Sequence, residues 1–113
     1  MTDSRFPLRL NVAVALLDEH RQQRRDHPAV ICGSTVLTYG ELAAAVDRCG
    51  NVLRGLGVRM EERVALLLPD SAECVIAFLA AIKIGAVAIP MNTLLTAADY
   101  EYMLGDSRAR VLI

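Results

Sequence analysis

The spacing of hydrophobic and polar positions changes along the chain, and each change predicts a new element. Apolar residues first recur at three- and four-residue steps, which is the spacing of one face of an α-helix. Asn11 can cap such a helix, which is predicted over residues 12–25 with Val12, Leu16 and His20 on one face. The chain therefore begins with an amphipathic helix.

Two short apolar runs follow this helix. Residues 29–32 and 35–37 flank Gly33-Ser34. Glycine at the first of two central positions suits a type II′ turn, because that position requires a positive φ. The pattern predicts a β-hairpin.

A second helix is predicted directly after the hairpin. Thr38 and Glu41 match a capping box, in which each side chain satisfies a free backbone N–H group at a helix start. Gly57 provides the left-handed residue that ends this helix. Its apolar stripe comprises Leu42, Val46, Cys49, Leu53 and Leu56, opposed by Glu41, Arg48, Asn51 and Arg54 in solvent.

A continuous apolar run over residues 63–68, closed by Pro69, is typical of a central parallel strand that is buried on both faces. Asp70 or Ser71 can cap the helix that follows. That helix is apolar nearly all round until Gly85 ends it.

Two more strands and a short helix complete the pattern. A strand is predicted over residues 86–89, and a last one over 110–113. Between them, Thr96 and Asp99 form a second capping box for a helix that Gly105 ends. The side chains expected to point inward from this helix are Tyr100, Met103 and Leu104.

The order of elements after the hairpin is α-β-α-β-α-β. Connections this short require right-handed crossovers and a parallel sheet with helices packed on it. We therefore predict an α/β fold in which an N-terminal helix and β-hairpin precede βαβαβ units. The chain contains no internal repeat, low-complexity tract or linker, so residues 1–113 form one folding unit or part of one.

The composition limits the kinds of partner that the chain is expected to bind. Twelve basic and 13 acidic residues leave a net charge of −1, so no strong field favours nucleic acid or an anionic membrane. Apolar residues make up 54% of the chain, above the usual range of about 45–50%. This excess fits either a sheet buried on most sides or an apolar surface that meets further protein. In the second case the isolated chain is expected to self-associate or bind a hydrophobic dye.

Targeting signals and cysteines favour a cytoplasmic protein. The apolar stretch 12–17 is too short and too soon followed by charge for a signal peptide. The longest apolar run, 74–90, is interrupted by Lys83 and Gly85 and suits a buried helix and strand better than a membrane span. Three widely spaced cysteines without a C-x-x-C pair favour free thiols over a disulfide or zinc site: Cys32, Cys49 and Cys74.

Two polar positions follow predicted strands, where open parallel sheets bind their ligands. The helix start at Asp70-Ser71 could contact a phosphate or carboxylate. No Gly-x-Ser-x-Gly motif surrounds Ser71, so helix capping is the favoured interpretation. Asn92 could face a substrate, but turning the chain after the strand is favoured.

The other candidate motifs favour structural roles. No Walker A sequence is present, and Gly55-Leu56-Gly57 lacks the third glycine of a dinucleotide fingerprint. His20 and His27 have no partner at metal-ligand or triad spacing, so we expect them on the surface or in loops. The basic cluster 21–25 complements a helix dipole. The three tyrosines are interpreted as packing residues: Tyr39, Tyr100 and Tyr102.

Two motifs carry a resemblance to a known family. Residues 37–42, LTYGEL, and 82–92, IKIGAVAIPMN, resemble the first two motifs of the AMP-forming acyl-CoA synthetase (adenylate-forming) superfamily. Between them, residues 63–71 and 77–87 resemble the adjoining block, so the resemblance covers nearly the whole chain from Asn11. The segments 11–18 and 90–95 look most like the benzoate-CoA ligase branch.

This resemblance implies a chemistry for a longer parent protein. Enzymes of this branch join an aromatic acid to AMP from Mg-ATP, release pyrophosphate, and pass the acyl group to coenzyme A. In the family, the phosphate loop, the ribose-binding aspartate, the carboxylate pocket and the catalytic lysine all lie farther along than residue 113. No catalytic, cofactor-binding or metal-binding residue is therefore assigned in this chain.

We accordingly expect residues 1–113 to be a partial N-terminal AMP-binding domain, truncated before the phosphate loop inside an apolar run and inactive alone. The parent would use ATP, magnesium and coenzyme A on a small carboxylic acid. Two alternatives stay open. One is a fragment of a fatty acyl-CoA synthetase or of a peptide-synthetase adenylation domain. The other is a self-contained α/β module that binds a ligand or partner without catalysis.

Overall fold

The computed structural model describes residues 6–113 and confirms the predicted α/β class. Within these residues, five strands form two sheets, an antiparallel pair in the order β1-β2 and a parallel sheet in the order β4-β3-β5. Four helices accompany them. The elements are α1 (Val12–Gln23), β1 (Pro28–Cys32), β2 (Thr35–Thr38), α2 (Tyr39–Gly55), β3 (Arg63–Leu66), α3 (Ala72–Lys83), β4 (Val87–Pro90), α4 (Ala97–Ser107) and β5 (Val111–Leu112).

The hairpin forms where the sequence predicts it. Cys32 pairs with Thr35 across a two-residue turn. Gly33 has a φ of +57°, whereas Ser34 does not have a positive φ. A positive φ at the first central residue alone is the type II′ pattern, which matches the twist of the strands on either side.

The first helix begins as predicted but buries a different side. Asn11 caps α1 by accepting a hydrogen bond from the Val14 N–H group. Ala13 and Leu17 are buried, whereas the predicted inward residues Val12 and Leu16 are exposed. The helix ends at Gln23, two residues before the predicted boundary. Arg25 lies in the connecting loop, where its carbonyl accepts a hydrogen bond from the Gly40 N–H group at the start of α2.

The second helix confirms its predicted cap and stop. Thr38 and Glu41 form both hydrogen bonds of the capping box, and Gly57 has a φ of +87°. Leu42, Val46 and Leu53 of its predicted inward stripe are buried and Cys49 is half-buried, whereas Leu56, just past the end of the helix, is exposed. An added Cβ on Gly50 would lie 3.1 Å from Ile84 Cγ2, so the absence of a side chain there lets α2 approach the end of α3.

The central strand of the parallel sheet is β3, as its continuous apolar run predicts. Val64 lies opposite Ala88 of β4 and Val111 of β5. Helix α3 packs on this sheet, and α1 and α2 pack against α3 and against each other, so that the main core lies among the three helices and the sheet. The largest fully buried side chains are Leu17, Leu53, Leu66, Val46 and Val64.

The last helix differs from its prediction. It continues past Gly105 to Ser107 and ends because Arg108 adopts the left-handed conformation, with φ of +53°. Its capping box is present, and hydrogen bonds from the side chain and backbone of Thr96 hold the pKa of Asp99 below its ordinary value of 3.8. No residue of α4 is fully buried: the predicted inward residues are half-buried.

The two crossovers place α3 and α4 on opposite faces of the sheet. The connection from β3 to β4 runs one way across the sheet, and that from β4 to β5 runs back past β3. If both crossovers are right-handed, their helices must lie on opposite faces. In agreement with this geometry, the main core on the α3 side of the sheet contains no residue of α4.

Within residues 6–113, no helix combines the length and apolar content that crossing a bilayer requires.

Candidate functional site

The carboxyl ends of the parallel strands meet along one edge of the sheet. There, the Met91 N–H group donates to the Leu66 carbonyl at 2.9 Å, and the Leu67 N–H group donates to the Ile113 carbonyl at 2.7 Å. We call this region, formed by residues 67–71, 91–94 and Ile113, the carboxyl edge. Open parallel sheets bind ligands along such an edge, so the polar residues there are the first candidates for a functional site.

Ser71 at the carboxyl edge is used as a helix cap, which confirms the favoured interpretation. Its Oγ accepts a hydrogen bond from the Cys74 N–H group at 3.2 Å and donates one to the Pro69 carbonyl at 3.0 Å. Asp70 is exposed beside it. The Ser71 hydroxyl proton and one of its lone pairs are therefore occupied within the protein.

This capping role predicts the effect of substitution. Ser71→Ala is expected to lower the free energy of unfolding by about 1 kcal/mol, because the Cys74 N–H group loses its acceptor. Ser71→Asp keeps an acceptor at this position, so its free energy of unfolding should stay close to that of the native chain. Urea denaturation followed by circular dichroism measures both values. Equal losses in the two variants would contradict a capping role.

Asn92 shapes the turn after β4. Its Oδ1 accepts a hydrogen bond from the Leu94 N–H group at 2.9 Å, and its carbonyl accepts one from the Tyr100 hydroxyl at 2.7 Å. The same hydroxyl accepts a hydrogen bond from the Leu95 N–H group at 3.1 Å. Turning the chain is thus confirmed for Asn92. The role of Tyr100 in holding this loop to α4 was not apparent from the sequence.

A second cluster of polar residues joins three helices at the C-terminal end of α3. Lys83 Nζ lies 3.0 Å from Asp18 Oδ1 and 2.7 Å from Asp47 Oδ1, and Arg21 lies 2.7 Å from Asp47 Oδ2. We call Asp18, Arg21, Asp47 and Lys83 the three-helix ion cluster. Asn11 reinforces it, since its Nδ2 donates to the Ile82 carbonyl at 2.8 Å. This cluster was not predicted from the sequence, although a lysine inside an apolar run is a signal that its charge needs a partner.

Asp47 and Lys83 of this cluster remain charged around neutral pH. The hydrogen bond from Lys83 holds the pKa of Asp47 below its ordinary value, with burial opposing and Arg21 assisting. Burial acts to lower the pKa of Lys83, but the hydrogen bonds to Asp47 and Asp18 outweigh it, so that the pKa is raised. With two acidic and two basic residues, the cluster has a formal net charge of zero. Neither Asp47 nor Lys83 is tuned to exchange a proton near pH 7.

An open cavity of about 350 Å³ borders this cluster. Because Lys83 precedes the start of β4, the cavity lies at the opposite end of the sheet from the carboxyl edge. Its polar lining beyond the cluster consists of Asn51 and Arg54, both exposed. The lining residues are Val46, Asp47, Gly50, Asn51, Arg54, Lys83 and Ile84.

The histidines and cysteines form no reactive constellation in the described part of the chain. His20 is half-buried, with its ring centroid 5.1 Å from that of Tyr39, so the expected surface position was wrong. His27 is exposed. The three cysteines are free, and burial raises the pKa of the Cys49 thiol, which favours the unreactive protonated form. Residues 6–113 contain no group of three His, Cys, Asp or Glu residues that could hold a metal ion.

Two polar side chains of the carboxyl edge are engaged in hydrogen bonds within the protein. A polyphosphate needs several free N–H donors or cations, and magnesium needs carboxylate ligands. Here Ser71 and Asn92 use their side chains to stabilise local structure. We therefore assign no reaction step to the described residues.

Known proteins are similar to this chain in sequence and in fold. The family model described as AMP-binding enzyme matches residues 17–113. The 4-hydroxybenzoate–CoA/benzoate–CoA ligase of Rhodopseudomonas palustris is 44% identical over 109 residues, which are 95% of this chain and 20% of the ligase. The long-chain-fatty-acid–CoA ligase FadD13 of Mycobacterium tuberculosis is 44% identical over 77 residues, 68% of this chain and 15% of that ligase.

A solved structure extends the likeness to three dimensions. The anthranilate CoA ligase AuaEII, in complex with anthranoyl-AMP, superimposes with a TM-score of 0.92 and 42% identity over 99% of this chain and 22% of that one. The chain thus spans about a fifth of the length of these two aryl-CoA ligases. The family match, the shared fold and the motif order together show that the chain belongs to the AMP-binding, AMP-forming acyl-CoA ligase family.

Proposed function

We propose that residues 1–113 contribute the N-terminal part of the AMP-binding domain of an ATP-dependent, AMP-forming aryl-CoA ligase. The observation that carries this proposal is the likeness to a benzoate–CoA and an anthranilate CoA ligase along 95–99% of the chain. The whole protein would use Mg-ATP to activate a benzoate-type acid as its acyl-adenylate, then transfer the acyl group to coenzyme A. Its free cysteines support the expected cytoplasmic location.

In this proposal the described residues are a scaffold and do not catalyse by themselves. Two observations support that role. The polar side chains of the carboxyl edge cap a helix or build a turn, and the charged cluster lies at the opposite end of the sheet. Phosphoryl and acyl transfer require a preorganised cradle for developing negative charge, which these residues do not supply.

A fatty acyl-CoA ligase is the second candidate, because FadD13 is as similar in identity as the benzoate–CoA ligase. The aryl candidate is preferred since its 44% identity spans 95% of the chain rather than 68%.

Carboxylate-dependent exchange of pyrophosphate into ATP tests the scaffold role. The purified 113-residue chain is expected to give no exchange above background with benzoate. A chimera in which this chain replaces the aligned segment of the Rhodopseudomonas palustris ligase is expected to retain benzoate-dependent exchange. Turnover by the chain alone, or a folded chimera without activity, would overturn the scaffold role.

The substrate class requires the complete reading frame that encodes these residues. Its product is expected to prefer benzoate and 4-hydroxybenzoate to palmitate, measured as kcat/KM for pyrophosphate exchange. A preference for palmitate would favour the fatty acyl candidate.

A further inference from the structure

The cavity of about 350 Å³ beside the three-helix ion cluster takes no part in the proposed function. One of its walls is α2, where Asp47, Asn51 and Arg54 follow one another at steps of four and three residues and therefore share a face of the helix. Lys83 and Ile84, at the end of α3, supply another wall. Two helices thus bring polar side chains to one cavity.

The cavity contains hydrogen-bond donors that the protein itself leaves unused. Within residues 6–113, no hydrogen bond or ion pair joins the side chain of Asn51 or Arg54 to another residue. Lys83 carries three N–H donors, of which Asp18 and Asp47 accept two, at 3.0 and 2.7 Å. The unused donors are therefore a guanidinium group, a side-chain amide and one N–H of an ammonium group.

The charges around the cavity favour an anion. Arg54 and Lys83 are positive, and Asp47 is the only acid among the described residues that line it, so the lining has a formal charge of +1. Each carboxylate oxygen of Asp47 already accepts a hydrogen bond, Oδ1 from Lys83 and Oδ2 from Arg21. A cation would meet two like charges and an occupied carboxylate, whereas an anion would meet free charged donors.

Apolar groups complete the lining and limit the kind of anion. Val46 is buried and Ile84 is half-buried, and Gly50 has no side chain to fill the space between α2 and α3. Small-molecule sites combine apolar walls with a few polar groups that fix the orientation of the ligand. A carboxylate with a small apolar body matches both parts of this lining, and inorganic phosphate matches only the polar part.

We propose that this cavity binds a small organic carboxylate, with its charged group on Arg54 and Asn51 and its apolar body against Ile84. The planar guanidinium fork of Arg54 suits a carboxylate, and Lys83 adds positive charge. The site lies at the opposite end of the sheet from the carboxyl edge, and the proposal does not depend on the proposed function. Because the cavity is open and the contacts are few, we expect a Kd of about 1 mM for a probe the size of benzoate.

Titration of the isotope-labelled 113-residue chain, followed by NMR, tests the proposal. Benzoate is expected to shift the signals of Asn51, Arg54 and Ile84 in a saturable way. Benzamide has the ring without the charge, and acetate has the charge without the ring, so each should bind severalfold more weakly. The absence of saturable shifts with benzoate would overturn the site. Binding of inorganic phosphate as tight as that of benzoate would overturn the proposed class of ligand.

Substitutions in α2 provide the matched comparison. Arg54→Met is expected to weaken benzoate binding by about tenfold, because the carboxylate loses its charged donor. Arg48→Met is the control and should leave the Kd unchanged, since Arg48 is an exposed residue of the same helix that does not line the cavity. Equal affinities for the native chain and Arg54→Met would contradict the proposal.

A third variant tests the second donor. Asn51→Leu removes the side-chain amide and is expected to weaken benzoate binding severalfold. Asn51 and Arg54 are both exposed, so these variants are expected to keep the fold, which circular dichroism checks. Unchanged affinity in the Asn51→Leu variant would overturn the proposed placement of the carboxylate.

Discussion

Replacing Leu53 by alanine is expected to lower the free energy of unfolding of the chain by about 2–5 kcal/mol. Leu53 lies on the inward side of α2, is 1% exposed, and belongs to the core that joins α2 to α3 and the sheet. The loss combines the transfer free energy of the removed methyl groups with the cost of the cavity left behind. It is a large part of the about 5–15 kcal/mol that stabilises an ordinary domain.

Two further variants, one at the adjacent residue and one at Leu53 itself, serve as controls for this measurement. Val52→Ala changes the adjacent residue, which is 61% exposed, and is expected to change stability by less than about 0.5 kcal/mol. Leu53→Met conserves volume and should cost less than about 1.5 kcal/mol, so it reports on the site even if the alanine variant does not fold. Urea denaturation with linear extrapolation gives all three values. Similar losses for Leu53→Ala and Val52→Ala would contradict the described orientation of α2.

Replacing Lys83 by methionine is expected to lower the free energy of unfolding by about 1–3 kcal/mol at pH 7. The substitution removes the ammonium group that Asp18 and Asp47 share, so that Asp18 loses its ion pair with Lys83 and Asp47 keeps only the one with Arg21. The expected size lies between that of an exposed ion pair and that of a broken buried one, because the Lys83 side chain is 20% exposed. Arg48→Met, at an exposed position of α2, is the control and should have little effect.

The pH dependence of this difference follows from the two shifted pKa values. The pKa of Asp47 is lowered in the folded state, so its contribution is complete above its ordinary pKa of 3.8 and is lost as the pH falls through the folded value. The pKa of Lys83 is raised, so its contribution is complete below 10.5 and is lost as the pH rises through the folded value.

The stability difference between the native chain and Lys83→Met is therefore expected to be flat from about pH 5 to pH 9 and to shrink at both extremes. Urea denaturation at pH 3, 7 and 11 measures it. A difference that does not change with pH would indicate that Lys83 stabilises the fold only through packing of its methylene groups.

The predictions that hold best depend on residues that are close in sequence. The capping boxes of Thr38 with Glu41 and Thr96 with Asp99 form as predicted, because each needs only residues three apart. Gly33 adopts the positive φ that its turn requires. The apolar run that contains β3 correctly predicted a central strand, because only a strand covered on both faces has no polar side.

The predictions that failed concern which neighbours an element meets. Val12 and Leu16 were predicted to point inward, yet Ala13 and Leu17, each one position farther along, are the buried residues of α1. The buried face of α1 is set by how this helix packs against α2 and α3, and that packing cannot be inferred from α1 alone. Similarly, α4 passes Gly105 and ends two residues later at Ser107, before the left-handed Arg108, since a glycine permits a helix to stop without requiring it.

The candidate site shows the same division. From sequence, Ser71 was expected to cap a helix and Asn92 to turn the chain, because both roles are local. The three-helix ion cluster was not predicted, since Lys83 is 65 residues from Asp18 and 36 from Asp47. No periodicity relates positions so far apart.

The sequence by itself determined the elements, their order, the parallel sheet and the ligase family, because capping, alternation and motif order are properties of neighbouring residues. Only the tertiary structure decided that Lys83 joins three helices and that Val87, Leu94 and Leu112 remain exposed. Both features arise when distant segments pack together, and packing depends on the relative positions of whole elements rather than on the pattern within any one of them.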